Sequence, residues 1–224
     1  MTAPRTTIEP CAFVQAVQPL LERKDLQGLL DLLKANWTAE QIVSLLRCED
    51  CDARKVAALS LTLVGCQGCL PELAKQLKDP DPIVNQMAEH AMWAIWFRGA
   101  SPEANHQLFR GAQALGRRDF DHAISHFDRA IAFCPTFAEP YNQRAIAKFL
   151  LERYDDAIVD SRKAVELMPI HFGAWAGMGH CHTHLGRLKC ALKCYEKALE
   201  INPHLGDVRE AVDELKCKLH HQPS

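Results

Sequence analysis

The apolar and polar positions between Ala104 and Leu205 follow a pattern that returns every 34 residues. Small and helix-ending residues recur in it at fixed places: Ala123, Ala157 and Ala191; Ala130, Ala164 and Ala198; Pro135, Pro169 and Pro203. Small alanines let two helices pack closely, and proline cannot continue a helix, so each period predicts a pair of helices. A single pair cannot bury its own apolar stripe. We therefore expect three pairs to stack around a continuous core.

A weaker pattern, with a spacing of 31 residues, covers residues 49–97. Its matched positions are Arg54 and Asn85, Ala57 and Ala88, Leu61 and Met92, and Val64 and Ile95. One helix is predicted to begin at Asp52 and another at Asp81. The segment Thr38–Gln41 has the residue types of a capping box, which predicts a further helix start.

The two patterns are joined without a flexible linker. Ser101 and Pro102 have the residue types of an N-cap and of a first helical position, and no Gly/Ser-rich segment precedes them. We therefore expect the two helical arrays to stack directly. The aromatic residues Trp93, Trp96 and Phe97 fit a packing surface between the arrays, and an exposed patch for a partner is the alternative.

The repeated positions match a known family residue by residue. The matching residues are Trp175, Met178, Gly179, Gly186, Ala191, Tyr195, Ala198 and Pro203 in the third period; Tyr141, Ala145, Tyr154, Ala157, Ala164 and Pro169 in the second; and Gly111, Phe120, Ala123, Phe127, Ala130 and Pro135 in the first. With these residues the chain resembles the tetratricopeptide repeats (TPR) at about 104–205. Gln107 and Arg110 depart from the family, which usually has an aromatic residue and a leucine there. The turn Asp79–Pro82, followed by an alanine-rich helix, resembles HEAT repeats at about 49–97.

These resemblances imply an all-α protein. The expected architecture is an α-solenoid in which HEAT-like helical repeats stack on three TPR helix–turn–helix repeats and a C-terminal capping helix closes the array. The predicted domains are residues 1–100, HEAT-like; residues 101–205, with TPR repeats 104–137, 138–171 and 172–205; and residues 206–224, the capping helix and tail. The apolar stripe from Val208 to Leu219 predicts this capping helix. The polar segment Met1–Thr7 and the tail His220–Ser224 are expected to lie outside the packed core.

Composition excludes several classes of protein. The 224 residues are 48% hydrophobic and 24% charged, as in a globular protein with a real core. The net charge of −2 gives no electrostatic basis for binding nucleic acid or an anionic membrane. No apolar run is long enough to span a bilayer, and the amino terminus lacks a signal pattern. We therefore expect a cytoplasmic protein whose ten cysteines are reduced.

The cysteine spacing invites a metal interpretation. Cys48 and Cys51, followed by Cys66 and Cys69, nearly fit a four-cysteine zinc site. However, the helix predicted from Asp52 would hold the two pairs roughly 18 Å apart, at about 1.5 Å per residue. One zinc ion cannot reach both pairs, so these four residues are weak metal candidates. Free structural thiols are the favoured interpretation, and a redox-active pair is a further alternative.

The TPR resemblance places a peptide groove on the first helices of the repeats. The residues it assigns to this peptide-binding groove are Leu108, Asn142, Gln143, Ile146, Phe149, His180 and His184. The amides could bind the backbone of an extended peptide, and the apolar residues could seat its side chains. His180 and His184 are four residues apart and could also hold a metal, but no third protein ligand is evident.

No catalytic constellation is present in the sequence, so we expect neither an enzyme nor a cofactor. The sequence predicts a non-catalytic interaction scaffold or adaptor that binds a partner peptide or helix. The alternative is a metal- or redox-responsive regulator that uses the two cysteine pairs. Relatives that hold chaperone carboxyl termini use Lys, Arg and Asn at positions that read Leu108, Ala112, Gln143, Gly173 and Gly177 here. We therefore expect no carboxylate-clamp binding of an acidic chaperone tail.

Overall fold

The computed structural model describes residues 8–220, and they form thirteen α-helices and no β-strand. The fold is therefore all-α, as predicted. The chain separates into two compact units, Met1–Trp96 and Phe97–Ser224. The predicted polar segment Met1–Thr7 lies outside the described residues, as does the predicted tail apart from His220. Among the described helices, none is both long enough and apolar enough to cross a membrane.

The first unit contains six helices within the described residues. They are α1 (Pro10–Glu22), α2 (Leu26–Asn36), α3 (Ala39–Leu45), α4 (Cys51–Val64), α5 (Leu70–Gln76) and α6 (Pro82–Phe97), whose last residue begins the second unit. The predicted capping box is present at α3, where the Thr38 side chain accepts from the Gln41 backbone and the Gln41 side chain accepts from the Thr38 backbone. α4 packs against α1, α2 and α3, so it is the central helix of this unit.

Two ion pairs connect the start of α4 with the turn before α6. Arg54 lies 2.8 Å from Asp79, and Lys55 lies 3.1 Å from Asp81. The matched apolar positions of the 31-residue pattern are largely buried on both helices. The assignment of these helices to the HEAT family, and the stacking of this unit on the second, stay predictions. Trp96 is buried and packs edge-on against Trp93, with 4.9 Å between the ring centroids, so it does not form an exposed patch.

The second unit consists of three helix pairs and a last helix. These helices are α7 (Pro102–Gly116), α8 (Phe120–Phe133), α9 (Ala138–Leu150), α10 (Tyr154–Leu167), α11 (Phe172–His184), α12 (Leu188–Ile201) and α13 (Gly206–His220). Ser101 caps α7 as predicted, by accepting from the backbone N–H of Ala104. The turn inside each pair contains a left-handed residue, and these residues keep the 34-residue spacing: Arg118, Glu152 and Gly186, with φ of 60°, 60° and 68°. Each helix pair therefore repeats the same backbone path.

The repeated alanines lie where the pattern predicts. All six are fully buried in the apolar clusters of the unit. In the first repeat the ring of Phe127 lies against Gly111, and in the third the ring of Tyr195 lies against Gly179. A Cβ at either glycine would come within 2.4 Å of the ring, so only glycine fits there. α13 buries Val208, Val212 and Leu215 against α12 and covers the end of the array, as expected of the capping helix.

Candidate functional site on the repeat unit

The first helices α7, α9 and α11 share a face that we call the inner face. It contains residues at matching positions of the three repeats, such as Phe109, Gln143 and Gly177. Several of its apolar side chains are open to solvent: Phe109 is 58% exposed, Ile146 37% and Leu150 48%. Exposed apolar side chains grouped on one face are typical of an interaction surface.

A pocket of about 280 Å³ opens on the inner face between α9 and α11. It is lined by Asn142, Ala145, Ile146, Phe149, Leu150, Ser161, Gly177, His180 and Cys181. Its rim is formed by exposed Ile146 and Leu150, and its floor by Ser161 and Cys181, each 1% exposed. The pocket therefore reaches from solvent into the core of the second repeat.

The pocket exists because the second repeat lacks a ring. Phe127 and Tyr195 fill the core of the first and third repeats, and the matching residue of the second repeat is Ser161. The matching residue of Gly111 and Gly179 is Ala145. A hydroxymethyl and a methyl group are much smaller than an aromatic ring, so this exchange leaves space that the other repeats fill.

A buried polar network lies beside the pocket. Glu139 Oε1 accepts from Gln143 Nε2 at 2.7 Å and from Asn142 Nδ2 at 3.3 Å. Glu139 Oε2 lies 2.7 Å from Nε2 of His171, and both side chains are fully buried. His171 Nδ1 accepts from the backbone N–H of Ala174, so Nε2 is the nitrogen that donates to Glu139. The network connects the start of α9 with the start of α11.

His180 belongs to a second chain of hydrogen bonds. The Thr183 hydroxyl donates to the Gly179 carbonyl at 3.0 Å, so it accepts from the Tyr195 hydroxyl at 3.2 Å. Tyr195 Oη therefore accepts from His180 Nδ1 at 2.8 Å, which leaves Nε2 of the neutral ring as an acceptor. Burial lowers the pKa of His180, although the charge of Asp207 acts in the opposite direction. The histidine is thus neutral at pH 7.

An aromatic cluster extends the inner face beyond the pocket. The ring of His184 stacks on Tyr154, with centroids 4.8 Å apart, and meets the edge of Phe149 at 5.2 Å. Phe149 also packs against Tyr154. The cluster therefore joins the second and third repeats, and Phe149 contributes one side chain to both the cluster and the pocket.

Comparisons with known proteins agree with this repeat architecture. Residues 173–205 match the family model "Tetratricopeptide repeat". Similar structures include the first TPR domain of Spaghetti, with TM-score 0.53 and 24% identity over 54% of this chain and 96% of that one, and the Sgt2 TPR domain of Aspergillus fumigatus, with TM-score 0.52 and 21% identity over 55% and 87%. Residues 173–205 are therefore a tetratricopeptide repeat, and the second unit has the fold of a TPR domain.

Relatives in sequence are TPR proteins as well. A TPR repeat-containing protein of Rhizobium etli is 29% identical over 67% of this chain and 74% of its own length. The Hsp70-Hsp90 organizing protein of Triticum aestivum is 35% identical over 42% of this chain, and this chain spans 16% of it. A small glutamine-rich TPR protein of Saccharomyces cerevisiae is 33% identical over 41% of this chain and 27% of its own length. The chain therefore matches only a small part of the last two relatives.

The TPR groove residues predicted from the sequence fall into two groups. Ile146, Phe149 and His180 line the pocket, and His184 lies in the aromatic cluster. Leu108 is a correction: it is 0% exposed in the core between α7 and α8, so it has no surface to offer a ligand. Helical spacing alone does not separate the inner face from the core beneath it.

Asn142 and Gln143 form the second group. Both are buried, and their amide nitrogens already donate to Glu139. Each amide keeps its oxygen as an acceptor, and Asn142 lines the pocket. The sequence could not reveal this arrangement because His171, which completes the network, lies 32 residues from Glu139.

The four cysteines of the metal hypothesis are not brought together. Cys48 and Cys51 lie at the start of α4, and Cys66 and Cys69 follow its end. Cys51 Sγ lies 3.2 Å from Asp81, whereas the sulfurs of Cys66 and Cys69 lie 3.8 Å apart. Burial raises the pKa of Cys69 to about 11, which disfavours a reactive thiolate. Within the described residues no group of three or more His, Cys, Asp or Glu side chains could hold a metal ion, so the metal alternative gains no support.

Proposed function

We propose that this protein is a non-catalytic cytoplasmic adaptor that binds a peptide segment of a partner protein on the inner face of its TPR unit. The observation that carries the proposal is the open pocket between α9 and α11, flanked by exposed Ile146 and Leu150. A rigid face with apolar side chains and a few acceptors suits recognition of an extended chain. The first TPR domain of Spaghetti is described as bound to an HSP90 peptide, and the TPR2B domain of yeast Sti1 as a complex with pHsp70.

The peptide is not held here by a carboxylate clamp. Leu108 and Ala112 carry no charge, Gly173 and Gly177 carry no side chain, and Gln143 donates to Glu139 inside the protein. A carboxylate therefore meets no cation at these five positions. Electrostatic attraction to a free carboxyl terminus needs such a cation, so we propose that the ligand is an internal segment of the partner.

The test uses a synthetic library of short peptides with acetylated amino termini and amidated carboxyl termini. Phe109→Glu and Ile146→Glu each place a charge on the inner face, and Val159→Glu is the matched control, since Val159 is a 62% exposed aliphatic residue on α10. We expect the wild type and the control to capture the same peptides and the inner-face variants to lose them. Equal capture by all four proteins would contradict the proposal.

A second arm of the same experiment tests the ligand's end group. Each captured peptide is remade with a free carboxyl terminus and measured at low salt, where charge effects are largest. The proposal predicts equal or weaker binding of the free acid. Binding that becomes at least about tenfold tighter would show that a clamp exists after all.

A further inference from the structure

The pocket has the shape of a side chain that the second repeat lacks. In the first and third repeats a ring from the second helix packs against a glycine of the first helix. In the second repeat Ser161 and Ala145 occupy these two positions, and both line the pocket. Because the surrounding backbone follows the same path, the unfilled volume has walls that already accommodate a ring elsewhere in the same unit.

The pocket can hold one large side chain and little more. Its volume of about 280 Å³ lies just below the range of roughly 300–1,000 Å³ typical of cofactor and drug sites. The walls are almost entirely apolar, from Ala145 and Ile146 to Phe149 and Cys181. A single leucine- or phenylalanine-sized side chain gains most from such a site, because burial of its apolar surface is favourable.

Three polar groups beside the pocket are available to a ligand. Asn142 Nδ2 donates to Glu139, so its Oδ1 is left as an acceptor. His180 Nδ1 donates to Tyr195, so Nε2 is also an acceptor. The Ser161 hydroxyl at the floor of the pocket can donate or accept. The two acceptors favour a ligand that brings backbone N–H donors.

We propose that the occupant is an internal segment of a partner protein that inserts one large apolar side chain into the pocket. This inference rests on the proposed function and specifies its ligand. The apolar side chain takes the place of the missing ring. Backbone N–H groups of the segment bind Asn142 Oδ1 and His180 Nε2.

The first test fills the pocket from inside. The double variant Ala145→Gly/Ser161→Tyr gives the second repeat the glycine and ring of the third, a pair that the third repeat already accommodates. Gly177→Leu fills the pocket from α11, where an added Cβ meets nothing within 4 Å. The control is Gly68→Leu, in the first unit, where the nearest atom to an added Cβ is Cys66 Sγ at 3.7 Å.

Both filled variants are expected to keep the helical circular dichroism of the wild type. Binding of a captured library peptide should weaken at least about tenfold in each, as expected when a large apolar side chain can no longer be buried. The Gly68→Leu control should bind like the wild type. The two variants fill the site from opposite helices, so a folding defect in one leaves the other as a test.

The second test addresses the side chain that enters the pocket. Library peptides that differ only at the apolar residue, as phenylalanine, leucine, alanine or glutamate, are measured against the wild type. We expect phenylalanine and leucine to bind at least about tenfold more tightly than alanine and glutamate, because only they bury a large apolar surface. Equal binding of all four peptides would overturn the proposal.

The outcomes separate this inference from the proposed function. If peptide binding is lost in Phe109→Glu but unchanged in both filled variants, the proposal that the pocket holds the side chain is overturned. The proposed adaptor function is then unaffected. If the wild type captures no library peptide, both fail. Sedimentation of the protein alone tests whether the occupant is a second copy of this chain. If the wild type captures no peptide but forms a dimer that the filled variants abolish, the proposal is overturned in favour of self-association.

Discussion

The second repeat differs from the first and third in how its interior is filled. Phe127 and Tyr195 occupy the cores of the outer two repeats, and Ser161 stands at the same place in the middle one. The backbone period of 34 residues is unchanged, and the alanines Ala157 and Ala164 are still fully buried. The comparison teaches that a repeat can lack the largest core side chain and still keep the same backbone path. A pocket can arise where that side chain is missing.

The middle repeat is also held together by different interactions. Arg144 and Lys148 of α9 both pair with Asp160 of α10, at 2.6 and 2.7 Å. Glu139 and His171 form a fully buried pair. The residues matching Glu139 are Asn105 and Gly173 in the other two repeats, which cannot make such a pair. Polar contacts thus support the middle repeat, where the ring is missing.

The largest expected effect comes from removing the rings. Phe127→Ala and Tyr195→Ala should each lower the free energy of unfolding by about 3–5 kcal/mol, because a buried aromatic residue leaves a cavity. Ser161→Ala, at the matching position, should change it by less than about 1 kcal/mol. Urea denaturation followed by circular dichroism measures all three. Similar losses in the three variants would show that the middle core is packed like the others.

A somewhat smaller effect is expected at the buried pair. His171→Ala removes the buried donor of Glu139 Oε2 and leaves Glu139 with only the two amide donors on Oε1, so it should cost roughly 3 kcal/mol. Glu166→Gln is the control, since its ion pair with Lys163 lies at the surface and should contribute less than about 1 kcal/mol. A loss at His171 no larger than the control's would mean that this pair does not stabilise the middle repeat.

The sequence predicted the helical part of this comparison well. Alanine spacing and proline positions placed the paired helices, and residues such as Thr38 and Ser101 marked helix starts correctly because capping depends on local chemistry. The sequence analysis missed the pocket, although its signal was present in the series Phe127, Ser161 and Tyr195. That series becomes informative only when the ring is known to pack against Gly111 and Gly179.

Other parts of the site depend on contacts that are distant in sequence. The sequence predicted Asn142 and Gln143 as free amides, and their engagement with Glu139 follows from a network completed by His171. Leu108 has the same helical phase as residues of the inner face, and only the packing of α7 on α8 shows that it is core. Such placements cannot be derived from local pattern.

Two glycines on α11 allow a direct comparison between the ring-filled core of the third repeat and the open pocket of the second. Gly179→Ala should lower the free energy of unfolding by about 1–3 kcal/mol, because its Cβ would come within 2.4 Å of the Tyr195 ring. Gly177→Ala should raise it by up to about 1 kcal/mol, because alanine favours the helix and nothing obstructs its Cβ. Thermal unfolding measures both. The same sign for the two variants would contradict this description of the pocket wall.

The smallest expected effect is a dependence on pH. Burial lowers the pKa of His180 below its ordinary value of 6.5, while Asp207 opposes this and His184 reinforces it. The stability that neutral His180 contributes is therefore present above about pH 6.5 and is lost as the pH falls toward the lowered pKa. Protonation also makes Nε2 a donor, so that it no longer accepts a hydrogen bond from the peptide.

We therefore expect peptide affinity to weaken severalfold between pH 7 and pH 5. Fluorescence anisotropy with a captured library peptide measures it, and His180→Gln is the control that should flatten the profile. Tyr195 and Phe149 contact this ring, and the charges of Asp207 and His184 act on its pKa in opposite directions. A peptide that binds more tightly at pH 5 would mean that His180 does not act as an acceptor for the ligand.

The central claim is that a partner's side chain enters the space left by the missing ring. Methyl NMR of protein labelled at Ile, Leu and Val, with a captured peptide added, tests it most directly. We predict intermolecular nuclear Overhauser effects from the peptide's apolar side chain to the methyl groups of Ile146 and Leu150, and none to Val159 on α10. Contacts to Val159, or peptide binding that leaves Ile146 and Leu150 unperturbed, would contradict the account.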